Sequence, residues 1–146
     1  MDRDVLRQLA EELIPFNKFL GVRLGAMDRG RVELEIPWRD ELVGDPFRPA
    51  MHGGVISALA DAAGGAALWS TFDHPGQRVS TIDLRIDYLR PGRLEAIVAE
   101  AVVVRAGRTI GVVDVRVFHP SSRDEVMATG KGVYSIKSPR AAPVRE

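Results

Sequence analysis

Hydrophobic residues recur at helical spacing through one long stretch of the chain, residues 48–71. The recurring positions lie three, four or seven residues apart and are Val55, Ile56, Leu59, Ala63 and Ala66. This spacing predicts a central helix over residues 52–71. Most other positions carry glycine, alanine or serine, and the adjacent Gly64 and Gly65 each cost about 1 kcal/mol in a helix interior relative to alanine. The helix should therefore form only where close packing compensates, against a sheet or a partner helix.

A second helical pattern begins the chain, and a stretch of alternating apolar and polar residues follows it. An apolar stripe predicts an amphipathic helix over residues 2–14, which fills the N-terminal segment 1–15 and ends at Pro15. Alternating apolar and polar residues then predict a hairpin, with a glycine-containing turn between its two strands. The strands are predicted at residues 19–27 and 31–37.

Four further strands are predicted after the central helix, at residues 79–89, 94–105, 108–118 and 125–136. Short turns between the last three favour an antiparallel meander. In the first of the four, alternation predicts two faces. One face carries Ile82, Leu84, Ile86 and Tyr88, and the other carries Thr81, Asp83, Arg85 and Asp87.

Together these elements predict an α+β fold in which an antiparallel sheet covers one long apolar helix. A helix this hydrophobic must be buried against another layer, and the sheet is the layer available. The length of 146 residues fits one domain, which we place at residues 1–138. Residues 139–146 combine prolines and charges without a pattern and are predicted to be a disordered tail.

Composition narrows the class of protein. The 20 basic residues balance the 20 acidic ones, which argues against a general binder of nucleic acid or membrane surfaces. The chain has no cysteine, so disulfides and thiolate chemistry are excluded. We expect a cytoplasmic protein, since neither a signal peptide nor a membrane span is recognisable. His52, His74 and His119 lack metal-ligand spacing, and no metal is predicted.

A single charged residue, Asp61, interrupts the apolar central helix. By the helical period its neighbours on the same face are Gly54, Ser57 or Ala58, Gly65 and Leu68. We therefore expect a cleft floor with one carboxylate. At the start of the helix the N–H groups of Gly53 and Gly54 have no intrahelical acceptor and lie at the positive end of the helix dipole. Such groups can bind an anion or polarise a carbonyl.

Three features together resemble one family. The histidine of His52-Gly53-Gly54 is followed nine positions later by Asp61, and then by the strand VSTIDLRIDYLRPG at residues 79–92. The combination resembles the hotdog-fold thioesterases, specifically the PaaI-like group, over nearly the whole chain. This resemblance implies the hotdog fold, hydrolysis of an acyl-CoA thioester without a cofactor, and a homo-oligomer whose active sites lie at the subunit interface. It leaves open whether the oligomer is a dimer or a dimer of dimers.

The resemblance also assigns roles to single residues. Asp61 matches the catalytic carboxylate, which acts as general base for water or as nucleophile toward the thioester carbonyl. Gly53 matches the N–H that polarises this carbonyl. Thr81 matches a hydroxyl residue that helps to hold the attacking water, or is an ordinary strand residue. For His52, a helix cap or a positioning role competes with direct proton transfer.

One position departs from the family pattern. The family commonly has an asparagine about six residues before the histidine, where it contacts the reacting centre, and this chain has Pro46 there. Proline offers neither a side-chain donor nor an N–H. Either Asp45 or Arg48 takes over the contact, or the contact is absent.

The remaining predicted contacts are with the substrate. The stripe of small residues that includes Gly54 and Ser57 is expected to hold an aryl or medium-chain acyl group. Arginine suits the phosphates of coenzyme A, and Arg90, at the turn that ends the family-like strand, is the candidate.

Two other functions stay open at this point. A non-catalytic acyl-CoA or acyl-carrier binding module is the first, and a hydratase or dehydratase, for which no second acid–base residue is suitably placed, is the other.

Overall fold

The computed structural model describes residues 1–73 and 76–139. In these ranges the helices are α1 (Arg3–Gln8), α2 (Pro15–Leu20) and α3 (Gly53–Ser70), with a π-helical turn at Leu9–Leu13 and a 3₁₀ turn at Asp40–Leu42. The strands are β1 (Arg23–Asp28), β2 (Arg31–Ile36), β3 (Arg78–Tyr88), β4 (Ile97–Ala106), β5 (Ile110–Phe118) and β6 (Ala128–Lys137). No helix within the described ranges has the length and hydrophobicity needed to cross a membrane. His74 and, apart from Pro139, the predicted tail at residues 139–146 lie outside the described residues.

All six strands form one antiparallel sheet in the order β1-β2-β4-β5-β6-β3. The hairpin β1-β2 and the meander β4-β5-β6 are both as predicted, and β3 lies at the edge beyond β6. Helix α3 packs against β2, β3, β4, β5 and β6. The predicted α+β arrangement, a sheet that covers one long helix, is therefore confirmed.

The N-terminal segment departs from the prediction of a single helix over residues 2–14. Helix α1 ends at Gln8 and continues as the π-helical turn. Pro15 ends this segment, but it also begins α2, because its fixed φ and missing N–H suit the first position of a helix. As a result Phe19 is helical, and the first strand begins four residues later, at Arg23.

Gly21 closes α2 with a left-handed backbone, at a φ of 74°. Its N–H donates to the carbonyl of Lys18 at 3.1 Å, and the N–H of Val22 donates to the carbonyl of Asn17 at 3.0 Å. This is a Schellman cap, in which glycine adopts the left-handed conformation without a Cβ penalty. The cap fixes the turn that carries Asn17.

Strand β3 contains a bulge that changes which residues face the helix. Thr81 pairs with Tyr134 and Asp83 pairs with Val133, so Ile82 is an extra residue in β3. The predicted faces are therefore wrong on the N-terminal side of the bulge. Ile82 is 57% exposed, and Thr81 turns toward α3, where it meets Asp61.

Tyr134 of β6 explains the first of the two adjacent glycines in α3. A Cβ at residue 64 would collide with the hydroxyl of Tyr134 and lie 2.8 Å from its Cζ. Tyr134 itself is 1% exposed. A Cβ at Gly65, in contrast, would meet nothing within 4 Å. Gly64 thus permits close packing of helix and sheet, whereas Gly65 borders open space.

We predict opposite effects on stability from alanine at these two glycines. Gly64→Ala should lower the free energy of unfolding by about 1–3 kcal/mol, because the added methyl group overpacks against Tyr134. Gly65→Ala should raise it by about 0.5–1 kcal/mol, because alanine is the better helix former and the space is open. Urea unfolding of the two variants beside the wild-type protein measures both effects. Equal effects at the two positions would contradict this account of the packing.

Candidate active site

His52 caps the N-terminus of α3. Its Nδ1 accepts a hydrogen bond from the N–H of Gly54 at 2.8 Å, so the ring proton of the neutral histidine is on Nε2. The cap occupies one of the free N–H groups of the first turn. The N–H of Gly53, the first residue of α3, has no intrahelical acceptor. Of the two glycine N–H groups predicted to polarise a carbonyl, Gly53 supplies the one that His52 leaves open.

Tyr88, at the end of β3, holds this first turn from the other side. Its hydroxyl donates to the carbonyl of Gly53 at 2.9 Å, and the hydroxyl of Ser57 is hydrogen bonded to the same tyrosine oxygen. A Cβ at residue 53 would lie 3.3 Å from Cε1 of Tyr88. Arg90 lines the surface cleft formed by Gly53 and Tyr88. Ser57, predicted to contact the substrate, is thus engaged with Tyr88.

Asp61 lies half-buried in the middle of α3. Its Oδ1 accepts a hydrogen bond from the hydroxyl of Thr81 at 2.8 Å. The hydroxyl of Tyr134 donates to the backbone carbonyl of Asp61 at 3.0 Å. Thr81 therefore orients the carboxylate, and Tyr134 fixes the backbone that carries it.

The cleft beside Asp61 has a volume of about 250 Å³. Its walls are mostly apolar and come from the N-terminal helices, α3, β3 and β6. They consist of Ala10, Ile14, Phe16, Asn17, Ala58, Asp61, Ala62, Gly65, Ala66, Trp69, Val79, Thr81 and Tyr134. The predicted cleft floor of small side chains is present from Ala58 to Ala66, whereas Leu68 belongs to the core. The cleft can thus enclose a compact apolar group next to one carboxylate.

Asp45 and Arg48 lie in the loop before α3 and do not line this cleft. Oδ1 of Asp45 accepts from the N–H groups of Phe47 and Arg48, at 2.9 and 3.2 Å. The guanidinium of Arg48 is exposed, with its Nε 3.8 Å from Oδ2 of Asp45. Within one chain, both residues thus precede the Gly53 end of α3, and neither lines the cleft of Asp61.

Gly53 and Asp61 lie on the same helix, eight residues apart. That separation is about 12 Å along a helix axis, and the two residues line different clefts. One chain therefore cannot present its own Gly53 N–H and its own Asp61 carboxylate to the same carbonyl group.

Two residues at the Asp61 cleft, Tyr134 and Asn17, are not among those predicted from the sequence. Tyr134 stands 73 positions from Asp61, and no local pattern links them. Its one signal is a phenol in a strand with a buried face, because a buried tyrosine hydroxyl usually needs a partner. Asn17 has no signal of its own, because it depends on the helix α2 that the sequence pattern does not predict.

Residues 1–73 and 76–139 hold no group of three or more histidine, aspartate or glutamate side chains able to bind a metal ion.

We predict that Tyr134 makes the stability of the protein sensitive to alkaline pH. Burial, reinforced by the negative charge of Asp61, raises the pKa of Tyr134 above its ordinary value of 10.0. Above pH 10 the unfolded tyrosine loses its proton and the folded one keeps it, so stability falls by up to about 1.4 kcal/mol per pH unit. Tyr134→Phe removes this contribution. Urea unfolding at pH 8, 10 and 11 should show a steeper loss in the wild-type protein than in the variant, and parallel losses would contradict the prediction.

Comparison with known proteins places the chain in a family. The pattern of the thioesterase superfamily matches residues 49–126. The medium/long-chain acyl-CoA thioesterase YigI of Escherichia coli K12 is 40% identical over 111 residues, which cover 68% of this chain and 72% of YigI. A Shewanella oneidensis protein related to the thioesterase superfamily has a solved structure that is 29% identical, with a TM-score of 0.77 and coverage of 92% of this chain and 96% of that protein.

A thioesterase family protein from Silicibacter pomeroyi shares the fold at 24% identity, with a TM-score of 0.83 and coverage of 93% of this chain and 98% of that protein. The predicted hotdog fold is thereby confirmed. The prediction of a thioester hydrolase is confirmed as well, at the level of the family. The chain belongs to the thioesterase superfamily.

Proposed function

We propose that this protein hydrolyses the thioester of an aryl- or medium-chain acyl-CoA, with Asp61 as the general base for water. The observation that carries the proposal is the carboxylate of Asp61, which Thr81 orients at the wall of an apolar cleft. A positioned carboxylate can take a proton from water within hydrogen-bond reach. The name of YigI, a medium/long-chain acyl-CoA thioesterase, supports the acyl-CoA class of substrate.

The size of the cleft supports a compact acyl group. Sites that enclose drug-sized ligands have volumes of about 300–1,000 Å³, and the cleft beside Asp61 has about 250 Å³. This space suits one aromatic ring or a medium aliphatic chain, while the coenzyme A part remains outside. Arg90, exposed beside Gly53, is a suitable partner for a coenzyme A phosphate.

The proposed site needs two chains. Because Gly53 and Asp61 of one chain are about 12 Å apart, we assign the carbonyl-polarising N–H to Gly53 of a second copy. Strand β3 lies at the edge of the sheet, and an edge strand with free backbone groups favours pairing with another strand. A homodimer along this edge would bring the two helices α3 together.

The assembly of two such dimers into a tetramer and a cytoplasmic location both stay predictions.

In the proposed reaction, Asp61 accepts a proton as the water oxygen bonds to the carbonyl carbon. The negative charge on the carbonyl oxygen is stabilised by the N–H of Gly53 from the second copy. The carbon–sulfur bond then breaks, and the proton passes from Asp61 to the departing thiolate. The products are a carboxylic acid and free coenzyme A, and Asp61 returns to its ionised form.

Release of coenzyme A tests the function directly. Wild-type protein should release thiol from at least one member of a panel of aryl-, short-, medium- and long-chain acyl-CoAs, and Asp61→Asn should lower kcat by at least about a hundredfold. A thiol-reactive dye reports only the product, because the chain has no cysteine. Asp124→Asn, an exposed aspartate in a loop outside both clefts, is the matched control and should retain full activity.

Two outcomes would contradict this proposal. Saturable binding of acyl-CoA without thiol release from any thioester would favour the non-catalytic binding module. Equal release by wild-type protein and Asp61→Asn would mean that another residue activates the water.

We further predict that the hydroxyl of Thr81 is required and its methyl group is not. Thr81→Val keeps the shape of the side chain but removes the hydrogen bond to Oδ1 of Asp61, so kcat should fall by about tenfold or more. Thr81→Ser keeps the hydroxyl and should retain most of the activity. Steady-state kinetics on the best substrate of the panel compares the two variants. Equal kcat values for valine and serine would mean that Thr81 serves only as a strand residue.

A further inference from the structure

Asn17 carries a buried amide for which the fold supplies no partner. The residue is 7% exposed and lines the cleft beside Asp61. Its side chain makes no hydrogen bond with any residue in 1–73 or 76–139. In the same ranges, Nε of Arg39 is the only side-chain nitrogen or oxygen that is both sealed from solvent and without a partner. The amide atoms of Asn17 therefore reach the open space of the cleft.

The backbone around Asn17 is held firmly. Its carbonyl accepts the N–H of Val22 in the Schellman cap of α2, and Pro15 fixes the start of the same helix. The backbone that carries the amide is thus pre-organised, so a ligand need not supply the cost of ordering this turn. The fold leaves this amide without a protein partner, and a ligand bound in the cleft would supply one.

The chemistry of the cleft indicates what this amide binds. Around the bound thioester, Asp61 can only accept hydrogen bonds, while the hydroxyls of Thr81 and Tyr134 already donate to Asp61. Trp69 has an N–H, but it stands eight residues beyond Asp61, about 12 Å along the helix. Among the side chains that line the cleft, Asn17 and Trp69 thus have free donors, and Asn17 is the buried one of the two.

We propose that the amide N–H of Asn17 donates a hydrogen bond to the carbonyl oxygen of the bound acyl thioester, beside Asp61 of the same chain. The inference rests on the proposed function, because it deepens the same site. Within one chain, the N-terminal segment lines the cleft of Asp61, and Asn17 belongs to this segment. Asn17 and Gly53 of the second copy would then both stabilise the charge that develops on the carbonyl oxygen.

Two non-hydrolysable ligands separate carbonyl recognition from the filling of the cleft. In the first, a methylene group replaces the thioester sulfur of an acyl-CoA, which leaves a ketone. In the second, an alkyl thioether of coenzyme A, the carbonyl is absent. Asn17→Leu should weaken binding of the ketone by about tenfold or more, and it should change binding of the thioether by less than about twofold. Titration calorimetry measures both, and the exposed neighbour Lys18 supplies the control variant Lys18→Ala, which should bind both ligands normally.

Kinetics and stability give two further readouts. Asn17→Leu should lower kcat for the thioester by about tenfold to a hundredfold. Its unfolding midpoint should equal or exceed that of the wild-type protein, because leucine of similar size replaces an unpaired amide. Asn17→Asp, which removes the donor and keeps the shape, should lose as much kcat as Asn17→Leu.

Several outcomes would overturn the role of Asn17. Equal weakening of the ketone and the thioether would mean that Asn17 only shapes the cleft, and unchanged binding of both would remove it from the site. A lower unfolding midpoint in Asn17→Leu would show that the amide has a structural partner. If the wild-type protein binds the ketone but releases no thiol, only the proposed hydrolysis fails, since the difference between ketone and thioether still decides the role of Asn17. Wild-type protein that binds neither ligand would refute both.

Discussion

The phenol of Tyr134 packs directly over the backbone of α3, and the rest of the structure depends on this close approach of helix and sheet. It requires glycine at residue 64, where any side chain would collide with the ring. A glycine inside a helix lowers helix stability by about 1 kcal/mol relative to alanine. Burial of Tyr134, one of the largest side chains in the core, offsets this loss. The tyrosine hydroxyl also binds the carbonyl of Asp61, so the same contact that joins helix and sheet fixes the position of the carboxylate.

Strand β3 contacts both parts of the helix that the proposed reaction uses. Thr81 meets Asp61, and Tyr88 meets Ser57 and the carbonyl of Gly53. These two β3 residues are seven positions apart, and in a regular strand they would point to opposite sides of the sheet. The bulge at Ile82 restores a common side. One irregular residue thus lets a single strand hold the carboxylate and the helix N-terminus at once, about 12 Å apart.

Local patterns in the sequence were sufficient for most of the elements and for a candidate catalytic group. The spacing from Val55 to Ala66 predicted the central helix, alternation predicted the strands, and the charge of Asp61 inside an apolar helix indicated the candidate site. What failed depends on contacts between distant parts of the chain. The bulge in β3 appears only in its register with β6, which alternation alone cannot reveal. A proline after a helical pattern indicates the end of that helix, but Pro15 also begins α2, and Phe19 is therefore helical.

The loop before α3 is held by hydrogen bonds that position the cap of the helix. Oδ1 of Asp45 accepts hydrogen bonds from two backbone N–H groups of its own turn, so this carboxylate stabilises the loop. The N–H of Gly44 donates to the carbonyl of Ala50, and the N–H of His52 donates to the carbonyl of Leu42, which together set His52 where it caps the helix. Within one chain, this loop leads to the Gly53 end of α3 and supplies no side chain to the cleft of Asp61. The segment that lines that cleft in the same chain is the N-terminal one, and its turn at Asn17 brings a side-chain donor there.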